Sequence, residues 1–367
     1  MSIVYSQVLP TNNKSSYSPF DLVEFVLTGE GTKLKKGSVR LTGEFRATKG
    51  GANLTSADDV KISPDAGIVS IIEQIQTETQ NQGVLESWSE CGRYAVMKNQ
   101  ASMNTNDTFN SENVVEMRTP SERVARELIL GEITKSGGST INDDNHFVIK
   151  PDFCLNNSST DVPFDKTGFM RVSFTLARIF NVLFGNDVDT TCAYSVKNLK
   201  LTYISEPVDG TETMPLMKRK IFIKQALTSG TTSVQTKVPG VVSSVSCSFL
   251  KQQNENSAIP NTLQTEVLPQ LKNVQYLFSG NTNEYLAFRL NSREEILSRY
   301  LDSFGDMDKN KMSLRNLSCN NSFGIGLEFA EPVDLSQTSF NIQMNNEATA
   351  SASYVIYMFF HSLISLS

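Results

Sequence analysis

The sequence predicts a mainly β protein made of two consecutive β-sandwiches. Short segments of alternating polar and apolar residues recur along the 367 residues, separated by stretches rich in Gly, Asn, Ser and Asp. Helix signals are few, and the two clearest lie in different halves of the chain. A duplicated β-rich unit explains both observations, and a chain of 367 residues is long enough for two domains of ordinary size.

Two helix starts carry complete capping signals. Thr119-Pro120-Ser121-Glu122 offers an N-cap, a proline suited to the first turn and a capping-box acid, and Gly131 offers a stop. Ser292-Arg293-Glu294-Glu295 repeats the box 173 residues later (292 minus 119), and Gly305 repeats the stop. These signals predict one helix over 120–130 and a second, amphipathic helix over 293–304. The apolar stretch 176–184 is either a short helix or a buried strand, because periodicity alone does not separate the two.

The most regular strand pattern runs from Val39 to Ala47, where apolar and charged residues alternate and predict one buried and one exposed face. The segment 241–249 shows a parallel pattern, with Val241, Val245 and Phe249 on the predicted apolar face. Further strands are predicted over 22–28, 68–77, 147–150, 170–174, 194–204, 220–226, 274–278, 323–329, 340–344 and 354–360.

The apolar segment 354–366, YVIYMFFHSLISL, could be mistaken for a membrane span. It is well short of the roughly 20 residues that a spanning helix needs. Its β-branched and aromatic residues suit a strand instead. We therefore expect a strand that is buried on both faces.

The best domain boundary is the segment 205–212, which follows a predicted strand and contains both Pro207 and Gly210. Many short strands joined by long loops are typical of a sandwich or a jelly roll. The sequence therefore predicts a double jelly roll with a few short helices in its loops. The expected division is a first jelly roll over 1–207 and a second over 208–367.

No constellation of residues suggests catalysis, so we predict no enzyme, no cofactor and no catalytic, cofactor-binding or metal-binding residues. The two histidines, His146 and His361, lie in different halves, whereas a metal-dependent jelly-roll enzyme needs clustered histidines. The segment 306–311 begins like a calcium-binding loop but lacks its later glycine and glutamate. Asp187 and Asp189 are too few carboxylates to hold calcium alone. Trp88 is expected to anchor packing.

The number and spacing of the cysteines indicate the compartment in which the protein works. Cys91, Cys154, Cys192, Cys247 and Cys319 are odd in number and widely spaced, which favours free thiols in a reducing compartment. No secretion signal is apparent at the N-terminus.

The net charge of −6 argues against a dedicated nucleic-acid binder. The small basic clusters at 33–36 and 218–220 are interpreted as solvated loop and strand-edge charge.

Three segments resemble one family of viral proteins. The segment 170–207, MRVSFTLARIFNVLFGNDVDTTCAYSVKNLKLTYISEP, is similar to the block that closes the first jelly roll in double jelly-roll major capsid proteins of the adenovirus, tectivirus and virophage lineage. The segment 65–94 is similar to the strand, glycine turn and aromatic-bearing helix of the same family. The ending 353–366 resembles the closing strand of the second jelly roll.

The resemblance implies upright jelly rolls, three chains in a pseudo-hexagonal capsomer and an icosahedral shell. The implied partners are further copies of this chain, neighbouring capsomers, and minor capsid or vertex proteins, and the implied location is the virion, after synthesis inside the host cell. The acidic charge suggests that a membrane or a separate basic protein lies between shell and genome, without specific nucleic-acid recognition.

Three alternatives stay open at this point. A minor or vertex capsid protein would carry one jelly roll with an added domain and would form pentamers. A carbohydrate-binding β-sandwich protein would recognise specific glycans. An enzyme on a jelly-roll scaffold would need a metal site, for which the sequence supplies no ligand cluster.

Overall fold

In the computed structural model, the chain is described over residues 3–55, 57–102, 116–118, 145–208, 215–227, 233–259, 261–263, 265, 271, 273–279, 288–304, 324–344 and 353–366. The strands up to residue 207 are β1 Val4–Val8, β2 Leu22–Leu27, β3 Thr32–Leu34, β4 Arg40–Lys49, β5 Ala52–Asn53, β6 Lys61–Ile62, β7 Ile72–Thr79, β8 Gly83–Ser89, β9 Asn145–Ile149, β10 Val162–Pro163, β11 Met170–Leu176, β12 Leu183–Phe184 and β13 Cys192–Pro207. The strands after it are β14 Leu216–Leu227, β15 Ser233–Lys237, β16 Val241–Lys251, β17 Val274–Ser279, β18 Phe288–Leu290, β19 Ile325–Asp334, β20 Ser339–Met344 and β21 Tyr354–Ser365.

Helices are short and sit between strands. The α-helices of the described part are α1 Cys91–Ser102, α2 Phe164–Thr167, α3 Ile179–Val182 and α4 Arg293–Asp302. Two 3-10 helices, Gly67–Ile71 and Gln252–Asn254, accompany them.

The strands form two sandwiches with the same strand order. In the first, a sheet with the run β1-β13-β4-β9 faces a sheet β2-β11-β7-β8. In the second, β14-β21-β16-β19 faces β15-β20-β17-β18. All of these pairs are antiparallel. We call the two sandwiches the first roll and the second roll.

The same order assigns each element its counterpart. Helix α1 follows β8 in the first roll, and α4 follows β18 in the second, so these two helices occupy matching places. They begin 202 residues apart (293 minus 91), whereas β13 and β21 begin 162 apart (354 minus 192). The rolls therefore match closely up to the helix and differ in length after it.

Of the two helices predicted from capping signals, only the second lies in the described part of the chain. The capping box at Ser292 is present, because its side chain accepts from the Glu295 N–H and Glu295 accepts from the N-cap backbone. The helix predicted at 120–130 lies outside the described residues, and so do Gly131 and Gly305. The counterpart of α4 is α1, which was not among the helices predicted from capping. Part of the stretch 176–184 forms α3.

Strand alternation follows the sequence in the first roll and departs from it in the second. In β4, Leu41, Phe45 and Ala47 are buried at alternate positions. In β16 the register shifts between Val242 and Ser244, so Val242 is buried while Val241 is exposed. The predicted position of Val241 on the apolar face was therefore wrong, because a β-bulge reverses the alternation.

The core joins both rolls. One continuous cluster of buried apolar side chains includes Phe25 and Phe174 of the first roll and Phe249 and Phe340 of the second. Phe340 packs edge-on against Phe360 of the opposite sheet, with ring centroids 5.6 Å apart. No helix among the described residues is long and apolar enough to cross a membrane.

Candidate functional site: the interface between the rolls

The outer face of the β14-β21-β16-β19 sheet is covered by the first roll and, along β16 and β19, by α4 of the second roll. Antiparallel sheets commonly keep one face in water. Here Tyr354 to Phe360 of β21 are all buried, as the sequence predicted for this strand. Residues 356, 358 and 360 share the side of the second roll's own core, while Tyr357 and Phe359 point towards the first roll.

Aromatic side chains from both rolls form the centre of the interface. Trp88 of β8 and Tyr94 of α1 pack on Phe359, with ring centroids 6.2 and 5.2 Å away. Phe222 of β14 lies 5.1 Å from Phe359 on the other side. Trp88 is a packing anchor, as predicted. The turn between β8 and α1 depends on Glu90, whose φ of 63° is in the left-handed region and allows strand to pass directly into helix.

An ion pair between a buried lysine and a partly exposed carboxylate lies beside these rings. Lys220 of β14 is 5% exposed, and its Nζ lies 2.5 Å from Oδ1 of Asp152 in the first roll. The ammonium also stands 5.0 Å from the ring centre of Trp88 and 4.8 Å from that of Tyr94, distances at which aromatic faces attract a cation. Lys98 of α1 donates to the other carboxylate oxygen of Asp152 at 2.9 Å.

Glu86 of β8 connects the backbones of the two rolls. Its Oε1 accepts the N–H of Lys220 at 2.8 Å, and its Oε2 accepts the N–H of Cys154 at 2.7 Å. The side chain is 2% exposed, so these bonds satisfy a carboxylate that water barely reaches. Glu86 thus ties strand β14 to the loop that carries Asp152.

Arg93 of α1 makes a second buried contact. It is fully buried, and its guanidinium lies 3.8 Å from the ring centre of Tyr357. It donates to Glu90 at 3.2 Å and to the carbonyl of Thr262 in the second roll at 2.6 Å. The planar guanidinium stacks on a ring and donates at its rim, which a lysine could not do.

The interface shifts the proton affinity of its members. Burial alone would raise the pKa of Asp152, but Lys220 and Lys98 hold it well below the ordinary value. Burial raises the pKa of Glu86, and the Lys220 charge offsets this only in part. Burial, assisted by Lys220, lowers the pKa of His361 to about 3. The Tyr94 hydroxyl, whose pKa burial raises, lies 3.3 Å from Nε2 of this imidazole, within hydrogen-bond distance.

The four cysteines in the described part of the chain are buried and do not gather into a metal-binding group. Cys91, Cys154, Cys192 and Cys247 are buried free thiols, and Cys319 lies outside the described residues. Burial raises the pKa of Cys91 and Cys154 well above the ordinary value, which keeps them protonated and unreactive. In the part of the chain that the structure describes, no three His, Cys, Asp or Glu side chains gather as metal ligands.

The other residues considered as candidate ligands have ordinary hydrogen-bond or ion-pair partners within the protein. His146 is exposed and lies 3.6 Å from Glu44, on a different sheet from His361. Asp187 accepts the N–H of Asp59, and Asp189 accepts from Thr191. The segment 306–311 lies outside the described residues.

The basic clusters divide between surface and interface. Lys33 and Lys35 pair with Asp161 and Glu206 near the surface, as interpreted from the sequence. Lys220, in contrast, is buried in the interface. Nothing in the sequence around it distinguishes it from its exposed neighbour Lys218.

Solved structures of viral proteins match nearly the whole chain, and several of them are named as major capsid proteins. The Faustovirus major capsid protein matches with a TM-score of 0.62 at 8% identity, over 100% of this chain and 90% of that chain. The PBCV-1 protein VP54, fitted into a reconstruction of the virophage Sputnik, matches with a TM-score of 0.57 at 9% identity, over 100% and 95%. The mavirus major capsid protein matches with a TM-score of 0.52 at 10% identity, over 98% and 89%.

The fold is the double jelly roll. The likeness to these structures covers both rolls and the interface between them, so it confirms the fold predicted from the sequence. No protein-family model and no curated protein matches the sequence.

The aromatic centre of the double jelly roll should dominate the stability of the interface. Replacing the fully buried Phe359 with alanine should reduce the free energy of unfolding by about 3–5 kcal/mol, because it leaves a cavity between the rolls. Phe20→Ala, which truncates a ring that is 70% exposed, is the matched control and should change it by less than about 0.5 kcal/mol. Urea unfolding followed by fluorescence measures both. Equal costs for the two variants would contradict a packed interface.

His361 should make the protein less stable in acid. The unfolded chain takes up a proton at the ordinary histidine pKa of 6.5, whereas the folded chain resists until about pH 3. Stability from this group is therefore complete above pH 6.5 and is lost as the pH falls towards 3. The melting temperature of the wild type minus that of His361→Gln should decrease between about pH 7 and about pH 5.

The comparison with a variant is needed because other groups titrate in the same range. Burial and the neighbouring Glu90 raise the pKa of Glu73 to about 7, and this group works in the opposite direction in both proteins. A difference in melting temperature that stays constant with pH would show that the imidazole is not held neutral.

Proposed function

We propose that this chain is a viral major capsid protein, three copies of which form a pseudo-hexagonal capsomer that tiles an icosahedral shell. The observation that carries the proposal is the match over nearly the full chain to the major capsid proteins of Faustovirus and mavirus. The proposal assigns the chain to the virion, as a structural protein without enzymatic activity, cofactor or catalytic residues.

The proposed division of the chain is 1–207 for the first jelly roll and 208–367 for the second. Two observations support it. Strands β1 to β13 pair among themselves, and strands β14 to β21 do the same. Between the named strands of the two sets, β13 ends at Pro207 and β14 begins at Leu216.

The contact between the rolls supports a ring. It joins two unlike surfaces, the β8 and α1 side of one roll and the outer sheet face of the next. Contacts between unlike surfaces generate rings when the rotation closes. Because both rolls have the same strand order, a second chain can repeat the contact with the β18 and α4 side of its second roll. Six rolls from three chains would complete the ring.

The surface that would receive the next chain is the outer face of β1-β13-β4-β9. It is the counterpart of the face that the first roll covers on the second roll. Its side chains include Arg40, Lys200 and Thr202, which are half-buried, and Tyr5, which is 80% exposed. This outer face of the first roll is polar and basic, whereas the corresponding face of the second roll carries Phe359 and Tyr357. A polar outer face suits a subunit that must stay soluble before it assembles, because large exposed apolar patches promote association.

Further partners follow from the proposed role. Neighbouring capsomers would meet the outside of the ring, and minor capsid or vertex proteins would fill the gaps between capsomers. An underlying membrane, or a separate basic protein, would separate the shell from the genome, because a chain with net charge −6 would not hold nucleic acid strongly.

The state of assembly tests the proposal directly. The purified full chain should form particles of three chain masses in native mass spectrometry, with a near-hexagonal outline in electron micrographs. A pentamer would overturn the proposal in favour of a vertex protein. A monomer that binds a defined sugar on a glycan array would overturn it in favour of a carbohydrate-binding protein.

The proposed contact face gives a second test. Lys200→Glu combined with Thr202→Glu should weaken the trimer roughly tenfold or more, since it places two negative charges in the contact. Lys237→Glu is the matched control, because Lys237 is also on a strand but lies on β15, at the edge of its sheet farthest from β18. Mass photometry across a dilution series measures both, with melting temperature as the check on folding. Equal trimer stability in both variants would contradict this placement of the contact.

A further inference from the structure

The ion pair of Lys220 and Asp152, whose side chains are 5% and 25% exposed, has the components of a condensation reaction. An amine and a carboxyl group from different rolls meet with Nζ and Oδ1 2.5 Å apart. Lys220 is 5% exposed, and the aromatic rings of Trp88 and Tyr94 flank its ammonium. Such a lysine is rarely buried without a dedicated partner. The surrounding side chains therefore hold the amine and the carboxyl group in one relative position.

We propose that Lys220 and Asp152 condense to an isopeptide bond that joins the two rolls covalently. The Nζ–Cγ bond forms and the Cγ–Oδ1 bond breaks. The oxygen leaves as water with two of the three ammonium protons, and the third stays on the amide nitrogen. Positive and negative charge cancel, so the reaction needs no oxidant, reductant or further reactant. The inference does not rest on the proposed function.

The surroundings supply a reason for the reaction to proceed. A buried ion pair carries a desolvation cost that a neutral amide avoids. The resting form is the ion pair, and the reactive form is the one in which a proton has moved from Nζ to Oδ1 across the contact. The Lys98 ammonium, 2.9 Å from Oδ2, stabilises the negative charge that develops on that oxygen when the amine attacks.

Neighbouring groups hold the reactants and receive the product. Glu86 acts as a positioning residue, because it binds the N–H of Lys220 and the N–H of Cys154, two residues beyond Asp152. A cavity of about 310 Å³ borders Asp152, Lys98, Trp88 and Tyr94 and gives the released water an exit.

Intact mass spectrometry of the denatured full chain tests the proposal. The wild type should weigh less than its sequence by one water molecule, and a protease digest should contain a branched peptide that joins residues 152 and 220. Lys220→Arg keeps the positive charge but lacks the amine, so it should have the full sequence mass. Glu86→Gln, which loses one of the two acceptors for the backbone N–H groups, should form the bond more slowly, with the melting temperature of the uncondensed form measured beside it as the check on folding.

Two controls make the outcome decisive. An aspartate that cyclises to a succinimide also loses one water, so the branched peptide must locate the loss. A wild-type chain at its full sequence mass after prolonged incubation of the folded protein would overturn the proposal. If Lys220→Arg fails to fold, the presence or absence of the branched peptide in the wild type still decides.

Discussion

The structure depends on the two-sided burial of strand β21. One side of this strand completes the core of the second roll, and the other side packs against the first roll. A sheet in this position cannot carry the usual solvated polar face, so the charged and titratable groups on it need hydrogen-bond or ion-pair partners. Lys220, Lys224 and His361 all lie on this face, and each has a partner in Asp152, Glu255 or Tyr94.

The same constraint explains why the two halves have diverged. Both rolls keep the same order of strands, but the outer face of the second is covered within the chain, while that of the first is polar and half-exposed. Serines at 244, 246 and 248 are buried on the covered face, and Ser244 donates to the carbonyl of Ser303 at the end of α4. The duplicated unit therefore occupies two unlike environments, and any ring built from it has exact three-fold and only approximate six-fold symmetry.

The sequence predicts what is local and misses what depends on the partner roll. Alternation locates β4, and the unbroken apolar run locates β21 with both faces buried, because both patterns lie within one strand. Helix α1 has no capping box, and its buried side chains include consecutive residues such as Val96 and Met97, so no amphipathic stripe reveals it. The capped segment at 119 was the more visible signal, but it lies outside the described residues, and the helix in the place that corresponds to α4 is α1. Lys220 has the pattern of a solvent-facing strand residue, since only the docking of the first roll buries it.

Buried ion pairs contribute little net stability compared with well-packed apolar residues, so the interface needs another explanation for its charges. Apolar packing alone permits neighbouring orientations of nearly equal energy, whereas a carboxylate that binds two backbone N–H groups fixes one. Glu86 binds one backbone from each roll, and Asp152 and Arg93 each reach across the same interface. In a ring that repeats one roll-to-roll contact, an angular error at each step would accumulate around the circle. We therefore expect the buried polar groups to set the angle between the rolls, and the aromatic cluster to supply most of the energy that holds it.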